Sequence, residues 1–387
     1  MSGFNNRNHA VLLPERLARF GPVEPGAKVK VRIPTEHRSL PFDQAIWPEE
    51  AAVLRTVSRH LPNVPKVLAT RRGFSVQTFA EGTELAAIWG SKPNVKGGVV
   101  EGLASLFAAL ARIPVDELPK PPAGWPAFGD STGFIHCLID YTRTRVEAPA
   151  HARYGPLFGA LGFPADALRR FSDGLPRDGL TPRPFVLLHA DLHPRNLIYN
   201  EEDGSLHAID WELAMVGDPV HDLAIHLCRT EYPNRGERQR FISAWHRAVR
   251  AANLPAVADY RRDLPWYVGY QRVRSVYTDV IRSVELLGPA PTGEELDARA
   301  AAVCRVLARA WAPVGLPGSP SLGGVRAALR DWAAERSEPG PPLADLRARL
   351  RRRLAEARTA FSGYFAGAPA PLPPDGPPAS ASRMRAR

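Results

Sequence analysis

Between residues 184 and 228 the chain changes character every few residues, and this block constrains the fold more than any other. PFVLLHAD is an apolar run that ends in polar residues, NLIYNEEDGSLHAIDWE reads as a hairpin, and GDPVHDLAIHLCR reads as a capped helix. Asp218 can cap the free amides of that helix, and Pro219 at its first position lacks only an N–H that would go unused. Val220, Leu223, Ala224 and Leu227 recur at helical spacing and predict a buried face. Asp222 then falls on the first turns, where it can orient the loop at HADLHPRN.

The hairpin carries a register prediction. If Leu197–Asn200 pairs with Leu206–Ile209 across the five-residue loop 201–205, Asn196 faces Asp210 and two oxygen-bearing side chains meet at one end. A hard divalent cation such as Mg2+ takes its oxygens from one or two protein groups plus phosphates. Asp191, five residues before Asn196, places a second carboxylate beside that pair, able to accept a proton from an attacking hydroxyl.

Composition excludes several classes. The 387 residues carry 50 Lys+Arg against 40 Asp+Glu, a net charge of +10, and are 44% hydrophobic, enough for a sizeable core. No stretch approaches the roughly 18 uncharged apolar residues of a membrane-spanning helix, and MSGFNNRNHA lacks the apolar region of a secretory signal. The expectation is a soluble, cytoplasmic protein that binds no membrane. Cys137, Cys228 and Cys304 are too scattered for a disulfide framework and read as small core residues. Residues 341–387 hold nine Arg against three acids, a lopsided tail without interleaved stacking aromatics, so nucleic acid is not expected as a partner.

Residues 1–80 read as strands and turns with one helix, PEEAAVLRTVSRHL. In KVKVRI a period of two puts Lys28, Lys30 and Arg32 on one face and Val29, Val31 and Ile33 on the other. From about residue 95 the pattern is helical, in VVEGLASLFAALARI and FIHCLIDYTRTRVE, and again to residue 287 and in roughly 297–311, 323–336 and 343–365. The final proline-rich stretch is predicted to be disordered.

HADLHPRN, followed by IDWE and GDPVHDLA, resembles the aminoglycoside phosphotransferase and choline kinase-like family of protein-kinase-like phosphotransferases. The resemblance is specific over 185–228 and extends over roughly 1–310. It implies an α+β, bilobal protein-kinase-like fold. Its N-lobe of sheet and helix would span 1–80, its helical C-lobe 81–310, a helical extension 311–366 and a disordered tail 367–387. It further implies transfer of phosphate from ATP or GTP to a hydroxyl of a small molecule, antibiotics included. Asp191 would be the catalytic base, His189 a brace for the loop, and Asn196 and Asp210 the Mg2+ ligands; the parts match those of kinase phosphoryl transfer.

In the N-terminal region SGFNNRNH resembles the phosphate-covering turn, with Gly3, Asn5 and Asn6 pointing amides at phosphate oxygens, although the family's usual strand before that turn is not evident. Arg32 resembles the basic residue that reaches the nucleotide phosphates, where the family commonly has Lys, and Glu50 its helix partner. Lys30 and Glu49 are rivals for these two roles. SVQTFAEG resembles the hinge where adenine lies, with backbone near Gln77 to Phe79.

Three other readings compete. The set His189, Asp191, His193, His207, Asp210, His221 and Asp222 suggests a metal-dependent hydrolase, yet no further His completes a two-metal site. GPVEPGAK at 21–28 misses the P-loop pattern, lacking the adjacent Gly-Lys-Ser/Thr. A nucleotide-binding pseudokinase would not need a proton acceptor beside its metal pair. For the acceptor, Asp259, Asp263, Asp279 and Glu285 could line a pocket for a polycation, whereas Arg272, Arg274 and Arg282 in the same segment suit an acidic or neutral molecule.

Overall fold

A computed structural model of the protein describes residues 6–13, 23–34, 42–71, 74–89, 97–288, 290–318 and 320–335. The chain divides into two compact units, Met1–Val11 with Lys28–Glu338, and Leu12–Ala27 with Pro339–Arg387. In the second unit, Leu13 donates its N–H to Ala27 and accepts from Gly26 at 2.8 and 2.9 Å; Gly26 sits at φ +77°, a turn conformation that suits glycine. The helix expected at 343–365 and the tail 367–387 lie outside the described residues.

The first unit begins with a four-stranded sheet in the order β1-β2-β4-β3, with β1 at Asn6–Leu12, β2 at Lys28–Pro34, β3 at Val67–Arg71 and β4 at Phe74–Thr78. Strand β4 is central and antiparallel to both neighbours, Lys30 lying opposite Gln77 and Arg32 opposite Ser75. The period-two reading of KVKVRI holds at Lys28, Val29 and Ile33, but Val31 is only half-buried and Arg32, expected on the open face, is buried. Between β2 and β3 runs helix α1 (Glu50–His60), which buries Ala51, Val53, Leu54 and Val57.

Short elements then alternate with helices: β5 (Thr83–Glu84), α2 (Leu85–Trp89), α3 (Gly97–Leu110), α4 (Ser131–Thr142), α5 (Ala148–Ala160) and α6 (Ala167–Asp173). A π-helical turn, Arg143–Glu147, joins α4 to α5. The block read first from the sequence contains β6 (Val186–Leu188), β7 (Leu197–Tyr199), β8 (Leu206–Ala208), β9 (Met215–Gly217) and α7 (Pro219–Arg229). Strand β9 pairs with β6, and the hairpin β7–β8 joins β5 in a small sheet. Helices α8 (Arg235–Ala252), α9 (Tyr260–Glu285), α10 (Gly293–Trp311) and α11 (Leu322–Glu335) complete the described chain.

One continuous hydrophobic core runs from Val53 and Leu54 of α1 to Leu329 of α11. In α9 the stripe Val273, Tyr277, Val280 and Val284 is buried, as its spacing requires. This is the α+β, protein-kinase-like architecture implied by the sequence. Two expectations need correction. Asn6 opens strand β1, so the chain is already extended within the segment read as a phosphate turn. The three cysteines are half-buried with free thiols, Cys228 and Cys304 packing against the edge of the core. Among the described residues no helix is long and apolar enough to cross a membrane.

Candidate active site

Strand β6 ends in the loop 189–196, and the loop is held from below by α7. Asp218 caps α7 by accepting from the Val220 N–H at 2.9 Å. Its carboxylate is locked in place by Arg183, whose guanidinium also bonds Asp263 at 2.8 Å, all three side chains being fully buried. One turn on, Asp222 accepts the backbone N–H groups of His189 and Ala190, both at 2.8 Å. Ala190 sits at φ +58°, a left-handed conformation that a β-carbon disfavours, so those two bonds fix the bend of the loop. Burial lifts the Asp222 carboxyl to about 6, although both amides favour its charge. The orienting role expected of Asp222 is thus visible in its contacts.

His189 is fully buried, and burial holds its imidazole down at about 4. The neutral ring donates from Nε2 to the Ile209 carbonyl at 3.1 Å and packs on Trp211 with centroids 4.6 Å apart. It ties the loop to the residue before Asp210.

The hairpin differs from the predicted register by one residue. Leu197 pairs with Ala208 and Tyr199 with Leu206, while Asn200 and Ser205 close the turn with a backbone bond of 2.9 Å. Asn196 therefore lies opposite Ile209, whose N–H it accepts at 3.0 Å, and not opposite Asp210. A one-residue slip ordinarily sends a side chain to the other face of the sheet. Here Asp210 leaves the strand, at φ +68° and ψ +62°, and both Asp210 and Asn196 line the same cleft.

Asp191 also lines this cleft, together with His193 and Lys30. The Asn196 Nδ2 donates to the carbonyl and to Oδ2 of Asp191, both at 2.9 Å, which turns the Asn196 amide oxygen away from Asp191. Oδ1 of Asp191 is taken by Arg229 Nη1, from the last residue of α7. His193 lies 3.5 Å from Oδ2 and is kept neutral, at about 4, by burial and by Arg195.

Arg32 and Glu50 form the expected pair, buried, with Glu50 at the start of α1. Glu49 is the exposed residue before that helix and makes no side-chain cap, so it does not compete. The Arg32 guanidinium also meets Glu212 Oε2 at 2.5 Å and Asp210 Oδ1 at 3.4 Å. Burial opposes its charge, but Glu50, Asp210 and Glu212 together raise its pKa. Glu50 further accepts Gln77 Nε2 and the Trp211 N–H, both at 2.8 Å, so one carboxylate joins the sheet to the turn after Asp210. Lys30, on the same face of β2, lines the cleft and makes no ion pair among the described residues.

Gln77 lies inside the central strand with its side chain fully buried on Glu50; Phe79, the first residue after the strand, lies under the Lys28 ammonium at 4.2 Å. Gly3 and Asn5 fall outside the described residues. Sequence reasoning missed Glu212 and Arg229. Glu212 belongs to the IDWE motif and could have been found as an acid two residues after Asp210. Arg229 is indistinguishable by sequence from any cation at a helix C-terminus.

The cleft measures about 1170 Å³. Asp210 and the amide oxygen of Asn196 are hard oxygen donors, the set that suits Mg2+, with its remaining positions left to phosphate and water. Among the described residues no three His, Cys, Asp or Glu side chains gather as a metal cage. The histidines of the hydrolase reading are dispersed: His207 bonds Ser205 at 3.1 Å, and His221 packs among Phe134, Tyr267 and Tyr270.

The fold has relatives among solved structures. An ethanolamine kinase from Plasmodium vivax is 15% identical over 82% of this chain and 81% of that one, with a TM-score of 0.51. The macrolide 2'-phosphotransferase MphH from Brachybacterium faecium is 16% identical over 78% and 89%, with a TM-score of 0.43. A GDP and kanamycin complex of APH(2")-IIia is 15% identical over 80% and 91%, with a TM-score of 0.46. No curated protein matches the sequence. The profile of the phosphotransferase enzyme family, APH, matches residues 31–266, well over half of the chain and the whole stretch from Arg32 through Asp222. The chain belongs to this phosphotransferase family.

Proposed function

We propose that the protein transfers the γ-phosphoryl group of ATP or GTP to a hydroxyl of a small molecule. One observation carries this reading: Asp191, Asn196, Asp210 and Lys30 all line a single cleft. In the transfer, the acceptor hydroxyl gives its proton to Asp191 and its oxygen bonds to the γ-phosphorus. The bond from that phosphorus to the β–γ bridging oxygen breaks, and the nucleoside diphosphate leaves. Asn196 and Asp210 would hold Mg2+, which supplies charge neutralisation on the phosphates. Arg32 keeps Glu50, Asp210 and Glu212 in register, and among the described residues Lys30 and Arg195 are cations left to face phosphate. Phe79 and the backbone after it offer the adenine or guanine edge.

A second reading, nucleotide binding without transfer, is favoured by one contact, the Arg229 guanidinium on Asp191. Turnover of ATP and GTP with Mg2+, in wild type and in Asp191→Asn, separates the two. Transfer requires acceptor-stimulated release of diphosphate that the variant lacks. Nucleotide uptake with equal, negligible turnover in both proteins supports the binder.

A further inference from the structure

The charges that line the cleft are unevenly distributed along the chain. Around Asn196 the wall holds Glu84, Asp191, Asp210 and Glu212 against Lys30 and Arg195, which suits a metal and its phosphates. The lining from residue 228 onward holds seven arginines against Glu231 and Asp279, and Asp43 stands among them beside Arg229, Arg274 and Arg282. A cationic acceptor would need carboxylates there, and the candidates in the sequence are removed one by one. Asp263 is consumed by Arg183 and by the Thr181 N–H at 2.8 Å. Glu285 accepts from the Tyr154 hydroxyl at 2.7 Å, and neither it nor Asp259 lines the cleft. Asp279 does line it, with Arg229, Arg274 and Arg282 as its charged neighbours. Asp43 is paired with Arg274.

The arginines are also gathered at a cost. Arg274 and Arg282 lie close enough to oppose the charge of Arg229, whose side chain is 40% exposed, while Asp43 and Asp279 favour it. Like charges in a partly desolvated wall repel, and an oxyanion between them relieves the repulsion with forked, charge-assisted hydrogen bonds. Arg229 is the member of the group that touches Asp191.

We infer that the acceptor is an anionic hydroxyl compound, its carboxylate or phosphate held by Arg229 with Arg272 and Arg282 while its hydroxyl meets Asp191. This rests on the phosphotransferase reading and names its substrate class. The acceptor's oxyanion gives Arg229 a second partner and leaves Oδ1 of Asp191 to the hydroxyl proton. The hydroxyl and the anion must then lie a few bonds apart, since one guanidinium bridges the two carboxyl-type groups.

The experiment uses the full chain with Mg2+ and ATP or GTP at constant ionic strength, because salt screens such charges. Nucleotide binding is first measured by calorimetry without acceptor. Turnover is then measured with matched pairs: glycerate and glycerol, gluconate and glucitol, glucose 6-phosphate and glucose. Ethanolamine, choline and kanamycin form the cationic arm. The expected result is turnover at least tenfold higher with one or more anions than with their neutral partners, and no comparable effect of the cations. Whether carboxylates or phosphates respond tells the two sources apart. Arg272→Glu, at an exposed position, is expected to raise KM for the responding anion at least tenfold, with partial recovery in Arg272→Lys. Stimulation by a neutral or cationic member equal to that by its anionic counterparts overturns the inference and leaves phosphoryl transfer standing. So does nucleotide binding with no response to any anion. Failure of both nucleotides to bind overturns the phosphotransferase reading itself.

Discussion

The Arg32 guanidinium and the Glu50 carboxylate form a buried ion pair, with only 7% and 5% of the two side chains exposed. Two further carboxylates, Asp210 and Glu212, lean on the same guanidinium. One guanidinium therefore touches three carboxylates at the place where the sheet, α1 and the turn after the hairpin meet. Removing one partner of a buried pair leaves uncompensated charge and costs about 3–5 kcal/mol. Arg32→Met is expected to lose that much in urea unfolding. Arg32→Lys keeps the charge but not the fork, so its loss should be smaller while turnover still falls.

Asp191 has every carboxylate oxygen engaged by the protein, through Asn196 and Arg229. Asp191→Asn keeps the shape and removes the proton acceptor. Turnover is expected to fall about 10²–10⁴-fold, with the melting temperature within a few degrees of wild type and nucleotide binding retained. A variant that turns over normally would remove Asp191 from the chemistry.

Asp222 serves both amides of the strained bend at His189 and Ala190. Asp222→Asn retains one acceptor oxygen and so strands one buried N–H, at about 1–3 kcal/mol. Because the bend sets where Asn196 and Asp210 stand, the Mg2+ concentration for half-maximal turnover should rise about 10–100-fold, the usual effect of losing a residue that supports metal ligands. A change in stability with an unaltered Mg2+ response would restrict Asp222 to folding.

Local chemistry made much of this legible. The cap at Asp218, Pro219 and the stripe through Leu223 and Leu227 are decided within one helix, and α7 forms where they place it. Strands β3 and β9 were not foreseen: Val67–Arg71 breaks the alternation, and Met215–Gly217 is three buried residues, too few to show a period. The hairpin register slipped because Asn200 belongs to the turn and Asp210 leaves the strand in a left-handed conformation, which no residue count anticipates. Arg229 on Asp191 and Glu212 on Arg32 join residues 38 and 180 positions apart, and only the assembled core brings such pairs together.

Buried histidines set the pH dependence of stability. His189 and His226 are held at about 4 and His221 at about 3, each by burial, against an ordinary value of 6.5. Between these values the unfolded chain binds protons that the folded one does not. Their contribution is therefore full above pH 6.5 and is lost as pH falls through about 4. Asp222 acts in the opposite sense: its carboxyl is raised to about 6, so its contribution is full below the ordinary 3.8 and is lost as pH rises through 6. With His193, also held at about 4, four histidines outweigh Asp222 and the carboxyls of Glu147 and Asp279 that burial likewise raises, and unfolding free energy should decline from pH 6.5 to 4. His226 bonds the Leu192 carbonyl at 3.0 Å and the Tyr232 hydroxyl at 2.8 Å. His226→Gln should flatten the slope by up to one proton, about 1.4 kcal/mol per pH unit, in urea titrations across that range.

Gly217 closes β9 immediately before the cap of α7, and the ring of Phe134 from α4 occupies the space beside it. A β-carbon there would stand 2.3 Å from Phe134 Cζ and 2.4 Å from Cε2. The ring is fully buried and packs edge-on to Trp125 and His221, so it has nowhere to retreat. Gly217→Ala should therefore cost about 1–3 kcal/mol by overpacking. The strand leads directly into Asp218, and the displaced backbone should also weaken the cap that anchors α7 beneath the loop. Phe134→Leu alone leaves a void, but combined with Gly217→Ala it gives the new methyl group room. The double variant should then be more stable than the sum of the single losses allows, by at least about 0.5 kcal/mol, measured by denaturant unfolding. Additive losses would show that the glycine is required by something other than that ring.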